Sequence, residues 1–151
     1  METEQPYYEK LSQYAFQSIL LLIKRLHPQE LSIHAPKRTA RECSAVKRYI
    51  DDNFRHPISL DHLAEISRLN KYYLAHAFRE YIGMSPINYL NARRVEEACA
   101  LLRDTSHPIS QIAGTVGFSS QSYFAQVFQK AVGESPGEYR KRIRREQGTK
   151  E

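Results

Sequence analysis

The sequence predicts an all-α protein, in which a long central helix joins two helix-turn-helix subdomains and an amphipathic N-terminal helix precedes them. Three observations support this fold. The stretch 107–136 repeats the plan of 56–86, including a literal His-Pro-Ile-Ser tetrapeptide and a closing Gly-x-Ser-Pro. Apolar residues recur at steps of three and four, as they do on one face of a helix. Between the two copies, residues 87–102 contain neither glycine nor proline.

Residues 1–40 are predicted to hold one helix and a linker. Apolar residues recur at helical spacing from Tyr7 to Leu26, and the stripe is wider than a solvent-facing helix carries. Such a helix needs a partner, either a second copy of itself, which predicts a homodimer through residues 7–26, or a domain that is missing here. The alternative is that it folds back on its own chain. Pro28 and Pro36 mark the linker that follows.

The first helix-turn-helix subdomain is assigned to residues 41–84. Ser59 and Asn70 are good caps for its second and third helices, and Gly83 ends the third. The predicted helices are 41–54, 60–66 and 71–82. The side chains predicted to face inward from the last two are Leu63, Ile66, Leu74, Ala77, Phe78, Tyr81 and Ile82.

The connecting helix is assigned to residues 85–103. Ser85 is a cap and Pro86 suits the first helical position. A helix of about seventeen residues from Pro86 to Leu102 is roughly 25 Å long. Recognition helices in successive major grooves on one face of DNA lie about 34 Å apart. A rod with one unit at each end comes close to that spacing.

The second helix-turn-helix subdomain is assigned to residues 104–151. Gly117 permits the turn between its first two helices, Phe118 fills the core between them, and Ser119 or Ser120 caps the second. The predicted helices are 109–116, 120–132 and one that starts at 136 and runs into the basic tail. The inner stripe of the second helix is Phe124, Val127, Phe128 and Ala131.

Charge is distributed unevenly along the chain. The formal net charge is +5, no acidic residue occurs from Thr105 to Gly133, and five of the six residues 140–145 are basic. Such an end suits a polyanion, although a solvated helix end has the same composition.

Several classes of protein do not fit the sequence. Cys43 and Cys99 lie far apart, and the six histidines lack partners at ligand spacing, so neither a disulfide framework nor a metal site is expected. Paired carboxylates, a nucleophile with its base and a phosphate-binding glycine loop are also missing, which argues against an enzyme, and no cofactor is expected. The longest apolar run, 19–23, is too short to span a bilayer, and we expect a cytoplasmic protein.

The outer faces of the two second helices are candidates for reading bases. Glutamine can bind adenine through two hydrogen bonds, arginine can bind guanine in the same way, and an alanine methyl can pack against thymine. Polar helix surfaces are also common in small helical proteins. The base-reading candidates are Tyr72, Ala75, His76, Arg79, Gln121, Ser122, Ala125, Gln126 and Gln129. Because the two faces differ, a chain that reads DNA with both would read an asymmetric site.

The two repeats resemble the DNA-binding domain of AraC/XylS-type bacterial transcription regulators over about residues 45–142. The resemblance is carried by Leu63-Ala64, Gly83-x-Ser-Pro, Ile112-Ala113, Gly117-Phe118 and Gly133-x-Ser-Pro, together with Ser122-Tyr123-Phe124, Phe128-Gln129-Lys130 and Tyr139-Arg140. It implies two helix-turn-helix units in adjacent major grooves of promoter DNA, with RNA polymerase as a further partner when the regulator is an activator. Most such regulators carry an effector-sensing domain ahead of this part. We therefore expect a fragment, with a short stand-alone activator as the alternative.

The resemblance also bears on individual side chains. Many members have Ser-Arg where this chain has Ala75-His76, and arginine where it has Gln126, so the preferred DNA sequence does not follow from relatives. Arg94 interrupts the inner stripe of the connecting helix, where an arginine can bridge the two units or reach a phosphate. The phosphate candidates are Lys71, Arg94, Lys130, Arg140, Lys141, Arg142, Arg144 and Arg145. The alternative to DNA binding is a helical adaptor that binds protein through the same faces, which the low net charge of residues 41–104 favours.

Overall fold

A computed structural model of the chain describes residues 37–148, which form seven helices joined by short turns, with no strand among them. The helices are α1 (Lys37–Asn53), α2 (Leu60–Ser67), α3 (Lys71–Ile82), α4 (Pro86–Asp104), α5 (Ile109–Thr115), α6 (Gln121–Val132) and α7 (Pro136–Gly148). The predicted all-α architecture is confirmed. The amphipathic helix predicted for residues 7–26 lies outside the described residues.

Helix α1 begins earlier than the sequence predicted. It starts at Lys37 and not at Arg41, which shortens the predicted linker. The reason is a tertiary contact. Thr39 is buried, and its hydroxyl lies 3.3 Å from the hydroxyl of Tyr73 on α3, so the first turn of α1 packs against a neighbouring helix.

Side-chain caps fix the starts of the central helices. The hydroxyl of Ser59 accepts a hydrogen bond from the amide of His62 at 3.1 Å, and the hydroxyl of Ser85 accepts one from the amide of Asn88 at 3.3 Å. Each bond satisfies an amide that has no partner inside its helix. With Pro86 in its first turn, α4 extends for 19 residues, or about 28 Å.

Helix α4 joins two hydrophobic cores, one packed against each of its halves. The first is formed by α1, α2, α3 and the N-terminal half of α4; its fully buried side chains include Ile50, Leu63, Leu74, Phe78 and Leu90. The second is formed by the C-terminal half of α4 with α5, α6 and α7. Its buried residues include Val95, Ala98, Leu102, Ile112, Val116, Phe124 and Phe128. The long helix therefore belongs to both cores.

Three side chains predicted to face inward are exposed. Ile66 is 39% exposed, because α2 turns Leu63, Ala64 and Ser67 toward the core. Tyr81 is 48% exposed, and its hydroxyl lies 3.0 Å from that of Ser44 on α1. Ala131 is also exposed, and Val132 packs against the core in its place. In α2, α3 and α6 the predicted inward-facing set therefore included one residue too many. Each of these residues lies at the edge of the buried face, where a helix borders both solvent and core.

No helix within residues 37–148 is both long enough and apolar enough to cross a membrane.

Candidate nucleic-acid interface

Helix α3 presents a polar face to solvent in the first unit. The side chain of Asn70 caps it by accepting a hydrogen bond from the amide of Tyr72 at 2.9 Å. Its opposite face, with Leu74, Ala77 and Phe78, is buried. The packing of that face leaves the base-reading candidates outside: Tyr72, His76 and Arg79 are exposed and Ala75 is half-buried.

Carboxylates lie beside Lys71 and His76 on this face. The ammonium group of Lys71 donates to a carboxylate oxygen of Asp61 at 3.1 Å, and this hydrogen bond raises the pKa of Lys71. Nε2 of His76 lies 3.4 Å from a carboxylate oxygen of Glu80. A phosphate that approached Lys71 would have to compete with Asp61. The first outer face is therefore less basic than its lysine, histidine and arginine suggest.

Helix α6 presents the corresponding face in the second unit. The hydroxyl of Ser120 accepts a hydrogen bond from the amide of Tyr123 at 3.2 Å, so Ser120, and not Ser119, is the cap. Phe124 and Phe128 anchor the helix in the second core. The exposed residues on its outer side are Gln121, Ser122, Gln126 and Gln129, with Lys130 beside them and Ala125 half-buried.

No carboxylate belongs to α6 itself. An exposed glutamine amide can donate and accept at once, which is the pattern that an adenine presents in the major groove. Because these amides carry no charge, they would add hydrogen-bonding selectivity without the nonspecific attraction of a cation. The face of α6 is chemically better suited than that of α3 to direct recognition of bases.

The basic residues of α7 divide into two groups. Arg140 donates to the backbone carbonyl of His107 at 2.7 Å, and Arg144 donates to the hydroxyl of Ser106 at 3.1 Å. Both guanidinium groups therefore lie beside the segment that leads into α5. Burial and the nearby Arg144 lower the pKa of Arg140. Lys141, Arg144 and Arg145 are exposed.

Arg142 is different, because its charge is balanced within the protein. Its guanidinium lies 2.7 Å from a carboxylate oxygen of Glu134 and 3.0 Å from one of Glu146. Hydrogen bonds to these two carboxylates raise the pKa of Arg142. A phosphate would have to displace these two carboxylates. Arg142 is therefore the weakest phosphate-contact candidate of the basic tail.

Comparison with known proteins shows the family. A family model described as a helix-turn-helix domain matches residues 63–142, more than half of the chain. The chain belongs to the AraC/XylS-type family. Helices α3 and α6, which Asn70 and Ser120 cap, occupy the recognition-helix positions that the resemblance implies.

Two relatives illustrate the extent of the match. The chain is 32% identical to the arabinose operon regulatory protein of Escherichia coli over 123 residues, which are 80% of this chain and 41% of that protein. It is 28% identical to the MmsAB operon regulatory protein of Pseudomonas aeruginosa over 140 residues, 91% of this chain and 46% of that protein. The chain thus spans about half the length of the curated relatives it matches.

The fold is also similar to that of solved domains. The C-terminal domain of AraT, a response regulator from Geobacillus stearothermophilus, superposes with a TM-score of 0.64 at 33% identity. The match covers 73% of this chain and 88% of that domain. The similarity therefore extends over nearly the whole of a solved AraC/XylS-type domain.

One phosphate candidate needs correction in this AraC/XylS-type fold. Arg94 is only 7% exposed, and its guanidinium donates to the backbone carbonyls of Phe54 and His56 at 2.7 and 2.9 Å. Burial lowers its pKa. We remove Arg94 from the phosphate candidates, because its donors are used inside the protein to satisfy carbonyls at the end of α1.

The sequence did not indicate which groups hold these side chains in place. Asp61, Ser106 and His107 position Lys71, Arg144 and Arg140, and no local pattern marks them. Tyr123 was also missed. It is 44% exposed at the start of α6, and its hydroxyl accepts a hydrogen bond from the side-chain Nδ2 of Asn91 on α4 at 3.1 Å. Within residues 37–148 no three His, Cys, Asp or Glu side chains are grouped as metal ligands.

Proposed function

We propose that this chain is a sequence-specific DNA-binding transcription regulator that places α3 and α6 in two adjacent major grooves of a promoter. The exposed, amide-rich face of α6 carries the proposal. That face belongs to the second helix of a helix-turn-helix and lies in a region without acidic residues from Thr105 to Gly133. The arrangement can provide both hydrogen-bonding selectivity and a local field that attracts phosphates.

A second unit at the other end of α4 makes a bipartite site the natural target. The roughly 28 Å length of α4 approaches the spacing of about 34 Å between successive major grooves. The two outer faces differ, with His76 and Arg79 on α3 and Gln126 and Gln129 on α6. One chain therefore reads two unlike half-sites.

Selection of bound sequences from a random DNA pool, followed by titration of the selected duplex at several salt concentrations, tests this function. We expect one asymmetric site with two half-sites. The logarithm of the binding constant should fall linearly with the logarithm of salt concentration, by about 0.9 for each phosphate neutralised. Absence of an enriched sequence, or a binding constant that does not change with salt, would contradict the proposal.

A pair of substitutions separates base reading from phosphate contact. Gln126→Ala should cost about 1–3 kcal/mol of binding free energy on the selected site and relax base preference at one position. Arg144→Ala should weaken binding to all sequences alike and reduce the salt slope. Binding to selected and scrambled duplexes measures both effects. Equal behaviour of the two variants on both duplexes would refute the assigned roles.

A protein–protein adaptor is the alternative, and the carboxylates beside Lys71 and His76 favour it for the α3 face. The salt titration decides between the two functions, because an adaptor does not bind the selected duplex. We further propose that the protein acts in the bacterial cytoplasm, has no enzymatic activity, and contacts RNA polymerase when it activates. Its homodimerisation through residues 7–26 is proposed from the sequence alone.

A further inference from the structure

The two helix-turn-helix units touch each other directly, beside the helix that joins them. On the side of the first unit, the contact is formed by the backbone just after α1. Arg94, in the middle of α4, donates from Nε to the carbonyl of Phe54 and from Nη2 to the carbonyl of His56. The middle of α4 is therefore bonded to a segment of the first unit that lies about forty residues earlier in the chain.

On the side of the second unit, the contact is the turn between α5 and α6. The guanidinium of Arg94 lies 5.4 Å from the ring centroid of Phe118, as in a cation–π interaction. Phe118 is 6% exposed, and its ring centroid lies 5.2 Å from that of Phe124 in the second core. One buried guanidinium thus contacts both units.

Gly117 brings the two backbones together at the same place. A Cβ atom at position 117 would lie 2.8 Å from the carbonyl oxygens of both Phe54 and Arg55, closer than van der Waals contact allows. The backbone of the turn between α5 and α6 therefore packs directly on backbone carbonyls of the first unit. Gly117 also has a φ of 96°, which independently favours glycine.

Two comparisons distinguish the close backbone approach at Gly117 from its positive φ. Arg68, which precedes Leu69 as Gly117 precedes Phe118, has a φ of 54°, so a turn of this kind tolerates a side chain. Gly133 has a φ of 89°, close to that of Gly117, but a Cβ there would meet no atom within 4 Å. Crowding at the junction is specific to Gly117.

We propose that this junction, made by Arg94, Gly117 and the carbonyls of residues 54–56, sets the number of base pairs that the chain accepts between its two half-sites. The inference rests on the proposed function. The junction acts by fixing the rotation of the second recognition helix relative to the first. An ion pair between Arg55 and Glu97 braces the same contact from outside. Arg94 is a positioning residue here, since its Nε and Nη2 groups donate to protein carbonyls.

Helix α4 alone does not provide this control. A helix fixes the distance between its ends, but each unit is held on it by side-chain packing, which permits rocking. One base pair corresponds to about 3.4 Å along the DNA axis and about 35° of rotation. Rocking by a comparable angle would therefore admit a neighbouring spacing, and the junction supplies the contacts that oppose it.

A spacer series tests the proposal. The selected duplex is altered by inserting or deleting one base pair between the half-sites, and binding is measured for the full chain and for Arg94→Lys, Gly117→Ala and Gly133→Ala. A lysine retains the charge of Arg94 but lacks the fork that bonds two carbonyls at once. Gly133→Ala is the matched control, because it introduces the same strain at positive φ without crowding the junction.

The full chain should bind the altered spacers about tenfold more weakly or worse, since DNA deformation costs free energy. For Gly133→Ala, the ratio of the affinity for the original spacer to that for an altered spacer should stay the same. Arg94→Lys and Gly117→Ala should reduce it to about threefold or shift the preferred spacing. Thermal melting identifies any variant that does not fold, and Arg94→Lys, which introduces no steric clash, then carries the test alone.

The outcomes distinguish the two proposals. If Arg94→Lys and a folded Gly117→Ala keep the spacer ratio of the full chain, the junction does not set the spacing. If the full chain itself binds equally well after one half-site is scrambled, reading by two units fails, and with it the proposed function. A loss of binding by Arg94→Lys that is uniform over all spacers would also overturn the junction proposal.

Discussion

Phe128→Ala should lower the free energy of unfolding by about 3–5 kcal/mol, the cost of removing a buried aromatic ring and leaving a cavity. Phe128 is fully buried, and its ring packs against those of Phe124 and Tyr139 at centroid distances of 5.5 and 5.6 Å. The contact with Tyr139 joins α6 to α7. Because domains are stable by only about 5–15 kcal/mol, binding to DNA should weaken as the second unit unfolds. Urea denaturation followed by circular dichroism measures the loss.

Gln129→Ala is the control for this prediction. Gln129 is the next residue on the same helix and is exposed, so its replacement should change stability by no more than about 0.5 kcal/mol. A loss below about 1 kcal/mol for Phe128→Ala would show that the second core does not depend on this ring.

Arg94→Met should lower the free energy of unfolding by about 2–4 kcal/mol, since the variant leaves two carbonyls without their donor. The methionine retains much of the apolar stem, so little of the loss comes from a cavity. The carbonyls are those of Phe54 and His56, which Arg94 now binds at 2.7 and 2.9 Å. Chemical denaturation at neutral pH gives the value.

Arg103→Met provides the comparison on the same helix. Its side chain is 48% exposed and pairs with the neighbouring Asp104, and exposed ion pairs contribute about 0–1 kcal/mol. A similar loss for the two variants would contradict the interpretation of Arg94 as a buried donor, because charge removal alone would then explain both.

Much of the fold followed from local patterns in the sequence. Ser59, Asn70 and Ser85 cap helices as predicted. Gly83 and Gly133 end α3 and α6 with φ angles near 90°. These features were predictable because a cap or a terminating glycine acts on residues within a few positions of itself. The edges of the inner stripes were not, as Tyr81 and Ala131 show, because helical periodicity does not specify how far neighbouring helices wrap around a face.

The candidate interface shows the same division. Helical spacing alone placed the base-reading candidates of α3 and α6 on outer faces, and the structure leaves seven of the nine exposed, with Ala75 and Ala125 half-buried. The helical spacing of α3 and α6 did not show which basic side chains are paired with carboxylates. Arg142 pairs with Glu134 and Glu146, and Lys71 pairs with Asp61. Arg142 and Glu146 are four residues apart on α7, but the pairs Lys71–Asp61 and Arg142–Glu134 join residues from different segments, which meet only when the chain folds.

The sequence by itself determined the repeated unit, which is visible as identical residues. Apart from the start of α1, it also determined the helices, their main caps and the polar faces, because these follow from interactions within one or two helical turns. Only the tertiary structure decided the role of Arg94 and the crowding at Gly117. Both depend on the carbonyls after α1, which lie about forty to sixty positions away along the chain and come near only when the two units fold against α4. Backbone carbonyls are the same in every residue, so no side-chain pattern could have marked them as partners.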